Sequence, residues 1–203
     1  MPRFFSPPNQ LTLLRVLLTP VFVALYLSSD PSFRQWSVVV FNLGMITDWY
    51  DGWVARRWGF ITKWGAHFDP MADKIFISAA FFSFAYMDLV PAWTVWIIVV
   101  RDVAVTFLRS YSEIKGFPFR TSFSAKVKTF AQFVALYYIL LASVGSSTFP
   151  VGSWVRAIST DAFSTTVTGW LMTGLALFTV VTGAQYIYAN RKLIVSIYDT
   201  RTS

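Results

Sequence analysis

The chain has 203 residues, of which 55% are hydrophobic and 19% aromatic, and only 13% carry charge, about half the share usual in a soluble domain. A mean hydropathy of +0.53 and a net charge of +7 exclude an ordinary soluble domain and suit an anionic membrane surface far better than nucleic acid. The absence of cysteine excludes disulfides and thiolate metal sites.

Residues 1–203 are therefore expected to form one integral membrane domain, all-α, with six transmembrane helices. Residues 1–10, MPRFFSPPNQ, read as an interfacial lead-in segment. Arg15 interrupts the apolar run that follows, and no small-residue cleavage site ends it, so a secretory signal is not expected. Helix 1 is expected from about Leu11 to Ser28, with Pro20 as a kink. Within it, Arg15 either snorkels to the interface or faces a site.

Helix 2 is expected from about Arg34 to Arg57, a turn to about Trp64, and helix 3 from Ala66 to about Met87. Ser78, Ala79, Ala80 and Ser83 supply small residues for close helix contact. His67, the one histidine, is expected to pack or cap rather than to bind metal. Helix 4 is expected over about Pro91–Glu113, helix 5 over Ala125–Ser143 and helix 6 over Thr166–Asn190, with Arg191-Lys192 marking its end. No internal repeat or low-complexity tract is present. Arg3, Arg57, Lys63, Lys115, Arg120, Arg191, Lys192 and Arg201 fall on one side of this arrangement, and only Arg34 and Arg156 on the other. The positive-inside rule then puts both termini and the junction of helices 2 and 3 on the cytoplasmic side of the bundle.

The junction of helices 2 and 3, DWYDGWVARRWGFITKWGAHFDPMAD, holds four of the chain's ten acidic residues. Asp48 and Asp51 are three apart, Asp69 and Asp73 four apart, so each pair shares one helix face. A charge near the bilayer centre costs roughly 2.5–3.5 kcal/mol on insertion scales, and repulsion within the cluster adds to that. Hard divalent cations remove this cost, and Mg²⁺ typically combines carboxylates with substrate phosphates. Two ions about 3.5–4 Å apart can clamp a phosphoryl group in displacement. Arg56, four residues after Gly52, can meet phosphate charge, and Gly52 and Ala55 leave room for a ligand to approach the backbone. The competing reading is an ion or proton path, which predicts acidic residues spread through the membrane depth. Here they gather near one face.

Asp48, Asp51-Gly52, Ala55-Arg56, Gly65, Asp69 and Asp73 reproduce the pattern D-x2-D-G-x2-A-R-x8-G-x3-D-x3-D without a departure. By this pattern the chain resembles the CDP-alcohol phosphatidyltransferase family. The resemblance implies a six-helix membrane enzyme of the bacterial-type cytoplasmic (inner) membrane, usually a homodimer. It implies transfer of the phosphatidyl group of CDP-diacylglycerol to an alcohol with release of CMP. The metal set is then Asp48, Asp51, Asp69 and Asp73 with two Mg²⁺ or Mn²⁺ ions, and Asp73 is the general base. Asn9, Thr12 and Arg15 fit a PN-x-LT-x2-R opening that helps hold the CDP-lipid in the family. Gly52, Ala55, Arg56 and Gly65 belong to the same ligand's site; Thr62 matches a family hydroxyl position or else caps the loop.

LTLLR, DP-x-ADK, the RD of helix 4, LRSYSEIKG and KVKT extend the resemblance over roughly residues 8–135. They point to the branch whose acceptor is sn-glycerol 3-phosphate and whose product is phosphatidylglycerophosphate. That branch often has RE where this chain has Arg101-Asp102, and GK where it has Ala125-Lys126. The DPMADK…DLVP…RDV run also resembles the CMP-forming cardiolipin synthases. A phosphomonoester acceptor needs fixed cations, and Arg101, Arg109, Lys126 and Lys128 are the candidates. Arg109 is favoured by depth, because Arg101 has an acidic neighbour in Asp102. Lys126 and Lys128, two apart, cannot face the same way: one is expected to bind and the other to meet lipid headgroups. Alternatively all four anchor helix ends.

Overall fold

Local sequence signals set where the helices begin and end. In the computed structural model six helices account for the described residues: α1 (Pro7–Tyr26), α2 (Pro31–Trp58), α3 (Gly65–Tyr86), α4 (Ala92–Ile114), α5 (Phe123–Gly145) and α6 (Thr165–Asp199). The structure describes the backbone of residues 7–58, 65–114, 123–145 and 165–199, and the side chains of residues 12–47, 50, 71–112, 123–144 and 166–191. The expected turn at 59–64, the loops at 115–122 and 146–164, and the lead-in residues 1–6 lie outside the described residues, as does the side chain of His67.

α1 opens on Pro7, four residues before the expected Leu11, since proline at a first helical position gives up only an N–H that has no intrahelical partner. Pro20 is accommodated inside α1. α2 likewise starts at Pro31 rather than Arg34, because Asp30 caps it: the Ser32 N–H donates to Asp30 Oδ1 at 2.8 Å. α3 ends in a Schellman turn. The Leu89 N–H donates to Phe84 O at 3.0 Å and the Asp88 N–H to Ala85 O at 3.1 Å, with Asp88 left-handed at φ 55°. α6 continues to Asp199, past the expected stop at Asn190. Arg191 and Lys192 interrupt hydropathy there but not helix propensity, and no glycine or proline follows them in α6.

α1 packs on α2 and α3, α3 on α4, α4 on α6, and α5 on α6 with smaller contacts to α2 and α3. Aromatic rings tie the first three helices together. Phe41 of α2 stacks on Phe76 of α3 with ring centroids 5.3 Å apart, and Phe22 of α1 meets both at 5.6 and 5.9 Å. Tyr26 donates to Ser143 Oγ at 2.8 Å and Tyr137 to Asn42 Oδ1 at 3.1 Å, which join α5 to α1 and α2. Ala80 and Ser83, two of the four small residues singled out on α3, are buried there. Among the described residues two helical stretches, Phe123–Val144 and Thr166–Arg191, are long and apolar enough to cross a membrane. Large apolar side chains on outward faces, among them Leu13, Trp36, Trp96, Phe107, Phe130 and Trp170, stay exposed.

One contact fixes the height of α2 against α3. A Cβ added at Gly44 would lie 2.6 Å from Phe76 Cζ, and Phe76 is 1% exposed, so its ring cannot swing aside. Gly44 is one turn before Asp48, and Phe76 three residues after Asp73. The expected outcome for Gly44→Ala is a loss of about 1–3 kcal/mol by overpacking, with Phe76→Leu restoring most of it. Thermal midpoints in detergent check this; an unchanged midpoint for Gly44→Ala alone would contradict the close approach.

Candidate active site

The carboxylate positions sit where α2 ends and α3 begins. α2 runs toward the junction and α3 away from it, and the Phe76 ring of α3 meets Gly44 of α2, one turn before Asp48. Asp51 follows in the last turns of α2, and Asp69 stands one turn before Asp73. The side chains of Asp48, Asp51 and Asp69 lie outside the described residues, as do those of Asn9, Ala55 and Arg56; Gly52 and Gly65 are described by their helical backbone alone, and Thr62 lies wholly outside the described residues. Among the described residues no three His, Cys, Asp or Glu side chains group together.

Asp73 is described. Its Oδ1 accepts from Arg15 Nη1, and the pair joins α3 to α1. The Asp73 side chain is 29% exposed and that of Arg15 only 2%. Of the two readings of Arg15 the structure takes the one facing the site, since a buried guanidinium opposite a carboxylate offsets both desolvation costs. Thr12, one turn before Arg15, is buried on the same helix. By sequence the four aspartates of this junction offer carboxylate oxygen, which is the chemistry that hard divalent ions take.

A second charged cluster lies between α3, α4, α5 and α6. Asp102, 3% exposed, is its centre: Lys128 Nζ donates to Asp102 Oδ1 and to Gln132 Oε1. Arg101 Nη1 approaches Asp102 Oδ1 at 3.3 Å, while Nη2 donates to Thr182 Oγ1 at 3.4 Å. Lys74 Nζ of α3 stands 3.6 Å from Asp102 Oδ2. A Cβ at Gly183 would lie 3.2 Å from Arg101 Cγ, so that glycine admits the arginine stem against α6.

The four expected acceptor cations therefore divide into two groups. Arg109 and Lys126 line a cleft of about 630 Å³ together with Ala125, Thr129, Phe130 and Phe133. Arg101 and Lys128 turn inward to Asp102. Lys126 and Lys128 do face apart, but Lys128 is buried rather than at a headgroup level. Lys74, next to Asp73, and Gln132, one turn after Lys128, join the cluster without having been expected as site residues. A lysine inside an apolar helix and a polar residue four after a buried cation are the signals that mark them.

Arg15, Asp73, Lys74, Asp102 and Lys128 all lie within the part of the chain that matches a known family. The model of the CDP-alcohol phosphatidyltransferase family matches residues 5–181, and the chain belongs to that family. The family is membrane-associated and divalent-metal dependent in general. The chain is 33% identical over 180 residues to the CDP-diacylglycerol–glycerol-3-phosphate 3-phosphatidyltransferase of Bacillus subtilis (strain 168), covering 82% of this chain and 92% of that protein. It is 31% identical over 186 residues to the protein of the same name from Rickettsia felis, covering 91% and 95%. It is 36% identical over 143 residues to that of Salmonella typhimurium, covering 67% and 77%. Membership of an enzyme family sets aside the ion-path reading.

The two neighbouring lysines should respond differently to loss of charge. Lys128→Met removes the closest partner of buried Asp102 and leaves Gln132 Oε1 without its donor, and is expected to cost about 1–3 kcal/mol. Lys126→Met, at the cleft, should stay within about 0.5 kcal/mol. Thermal unfolding of both purified variants checks this, and equal losses would contradict the inward placement of Lys128.

Proposed function

We propose that this protein transfers the phosphatidyl group of CDP-diacylglycerol to sn-glycerol 3-phosphate, giving phosphatidylglycerophosphate and CMP. The observation that carries the proposal is the eight-position aspartate pattern spanning the end of α2 and the start of α3, in a chain whose relatives are named for this reaction. Asp48, Asp51, Asp69 and Asp73 would hold two Mg²⁺ or Mn²⁺ ions, which when bound neutralise the pyrophosphate and the departing CMP.

The chain's own residues do the rest. Arg56 meets phosphate charge, and Gly52, Ala55 and Gly65 let the CDP portion lie close to the backbone, with Asn9, Thr12 and Thr62 as polar contacts. Arg109 and Lys126 take the acceptor's phosphomonoester, supported by their shared cleft. Asp73, oriented by Arg15, accepts the proton of the acceptor hydroxyl. The hydroxyl oxygen forms a bond to the phosphorus that carries diacylglycerol. The bond from that phosphorus to the bridging oxygen breaks, and its electron pair leaves with CMP.

The same reading places six spans in a bacterial-type inner membrane with both termini cytoplasmic, supported by the distribution of basic residues and by the exposed apolar faces. The homodimer rests on the family resemblance.

A purified-protein assay with a panel of alcohols is expected to yield labelled phosphatidylglycerophosphate and CMP from CDP-diacylglycerol and glycerol 3-phosphate. Use of phosphatidylglycerol in place of glycerol 3-phosphate would instead establish a cardiolipin-forming enzyme. Each of Asp48→Asn, Asp51→Asn, Asp69→Asn and Asp73→Asn should abolish most turnover, with Asp73→Asn sparing CDP-lipid binding best. Near-normal activity in any of them would remove its assigned role. For topology, a cysteine at Ser146 should react with an impermeant thiol reagent outside intact cells, and one at Thr121 or Ser203 should not. The converse pattern would invert the chain.

A further inference from the structure

The cluster around Asp102 carries more positive charge than its own carboxylate can balance. Lys74, Arg101 and Lys128 surround one aspartate, an excess of two positive charges in surroundings that are largely buried. The cations do not share Asp102 equally. Lys128 and Arg101 are committed to Oδ1, and each has a second partner, Gln132 for the lysine and Thr182 for the arginine. Oδ2 is buried without a hydrogen-bond partner among the described residues, and Lys74 stands 3.6 Å from it, beyond hydrogen-bond reach. Lys74 is thus attracted by Asp102 without donating a hydrogen bond to it. Its side chain is also the most exposed of the three, at 22%. On α3 it directly follows Asp73, which points to α1, while Lys74 points to α4.

We propose that Lys74 is a substrate-binding residue that receives the phosphomonoester of the acceptor, and that Asp102 is the positioning residue that holds it there. A phosphomonoester brings about 1.5 to 2 negative charges at neutral pH, which match the excess of the cluster. A lysine drawn to a carboxylate from a distance keeps its donors for a ligand, whereas one hydrogen-bonded as Lys128 is does not. This assignment rests on the glycerol 3-phosphate reading and adds a third cation to Arg109 and Lys126. It also explains why a carboxylate is buried at position 102. Without that charge beneath it, Lys74 would be repelled by Arg101 and Lys128.

The test uses the full-length enzyme in detergent, with steady-state kinetics for both substrates and inorganic phosphate as a competing anion. Loss of a charged contact predicts that Lys74→Met raises the KM for glycerol 3-phosphate by about tenfold or more. The KM for CDP-diacylglycerol and the thermal midpoint should hardly change, and Lys74→Arg should recover most of the affinity. Asp102→Asn should act in the same direction and Asp102→Glu should rescue it, with Lys74→Met adding little in the Asp102→Asn background. If Asp102→Asn does not fold, the Lys74 variants and Asp102→Glu decide the matter. An unchanged glycerol 3-phosphate KM in Lys74→Met, or a fall confined to kcat or to stability, would overturn the inference and leave the acceptor reading intact. If the wild type does not use glycerol 3-phosphate, that reading fails, and inhibition by phosphate then decides for Lys74. Weaker phosphate inhibition in Lys74→Met supports its anion site; equal inhibition, or none in the wild type, overturns it.

Discussion

A charged side chain inside an apolar helix bundle is costly unless another helix answers it, and this constraint organises the molecule. Asp73 on α3 is answered by Arg15 from α1, and Asp102 on α4 by Lys128 from α5 and Lys74 from α3. Each pairing crosses between helices, so charge compensation also determines which helices lie side by side. The apolar contacts agree with it. The ring cluster of Phe22, Phe41 and Phe76 ties α1, α2 and α3 together, and Gly44 makes room for the Phe76 ring against α2.

The consequence is a division of labour. The α1–α3 side carries the acidic junction, and the α4–α6 side carries the excess of cations. α3 belongs to both, because Asp73 and Lys74 are successive residues that point to different neighbours. A helix turns by about 100° per residue, so adjacent positions on one rigid element can serve a cation-binding site and an anion-binding site.

Much of this is legible in the sequence. The aspartate spacing, the small residues between the pairs and the number of helices follow from local periodicity, which needs no knowledge of partners. The helix starts at Pro7 and Pro31 are missed when apolar runs are weighted above the proline and Asp30 cap signals. The end of α6 is missed because Arg191 marks a change in hydropathy, which a helix can cross. The choice between two fates for Arg15 depends on which residue of another helix stands opposite, and no spacing within α1 holds that information. The same is true of Lys126 and Lys128. Their opposite facing follows from helix geometry, but which one turns inward depends on Asp102, some 26 residues away.

Central to the proposed chemistry is that four carboxylates on the α2–α3 junction hold divalent ions beside the Arg15–Asp73 pair. Electron paramagnetic resonance of Mn²⁺ titrated into the purified, metal-free protein tests this directly. Two ions per chain with a spin-coupled signal are expected, and the coupling should vanish in Asp48→Asn and in Asp69→Asn while the helical circular dichroism stays unchanged. Stoichiometric Mn²⁺ binding that survives all four Asp→Asn substitutions, or no binding by an active wild-type protein, would contradict it.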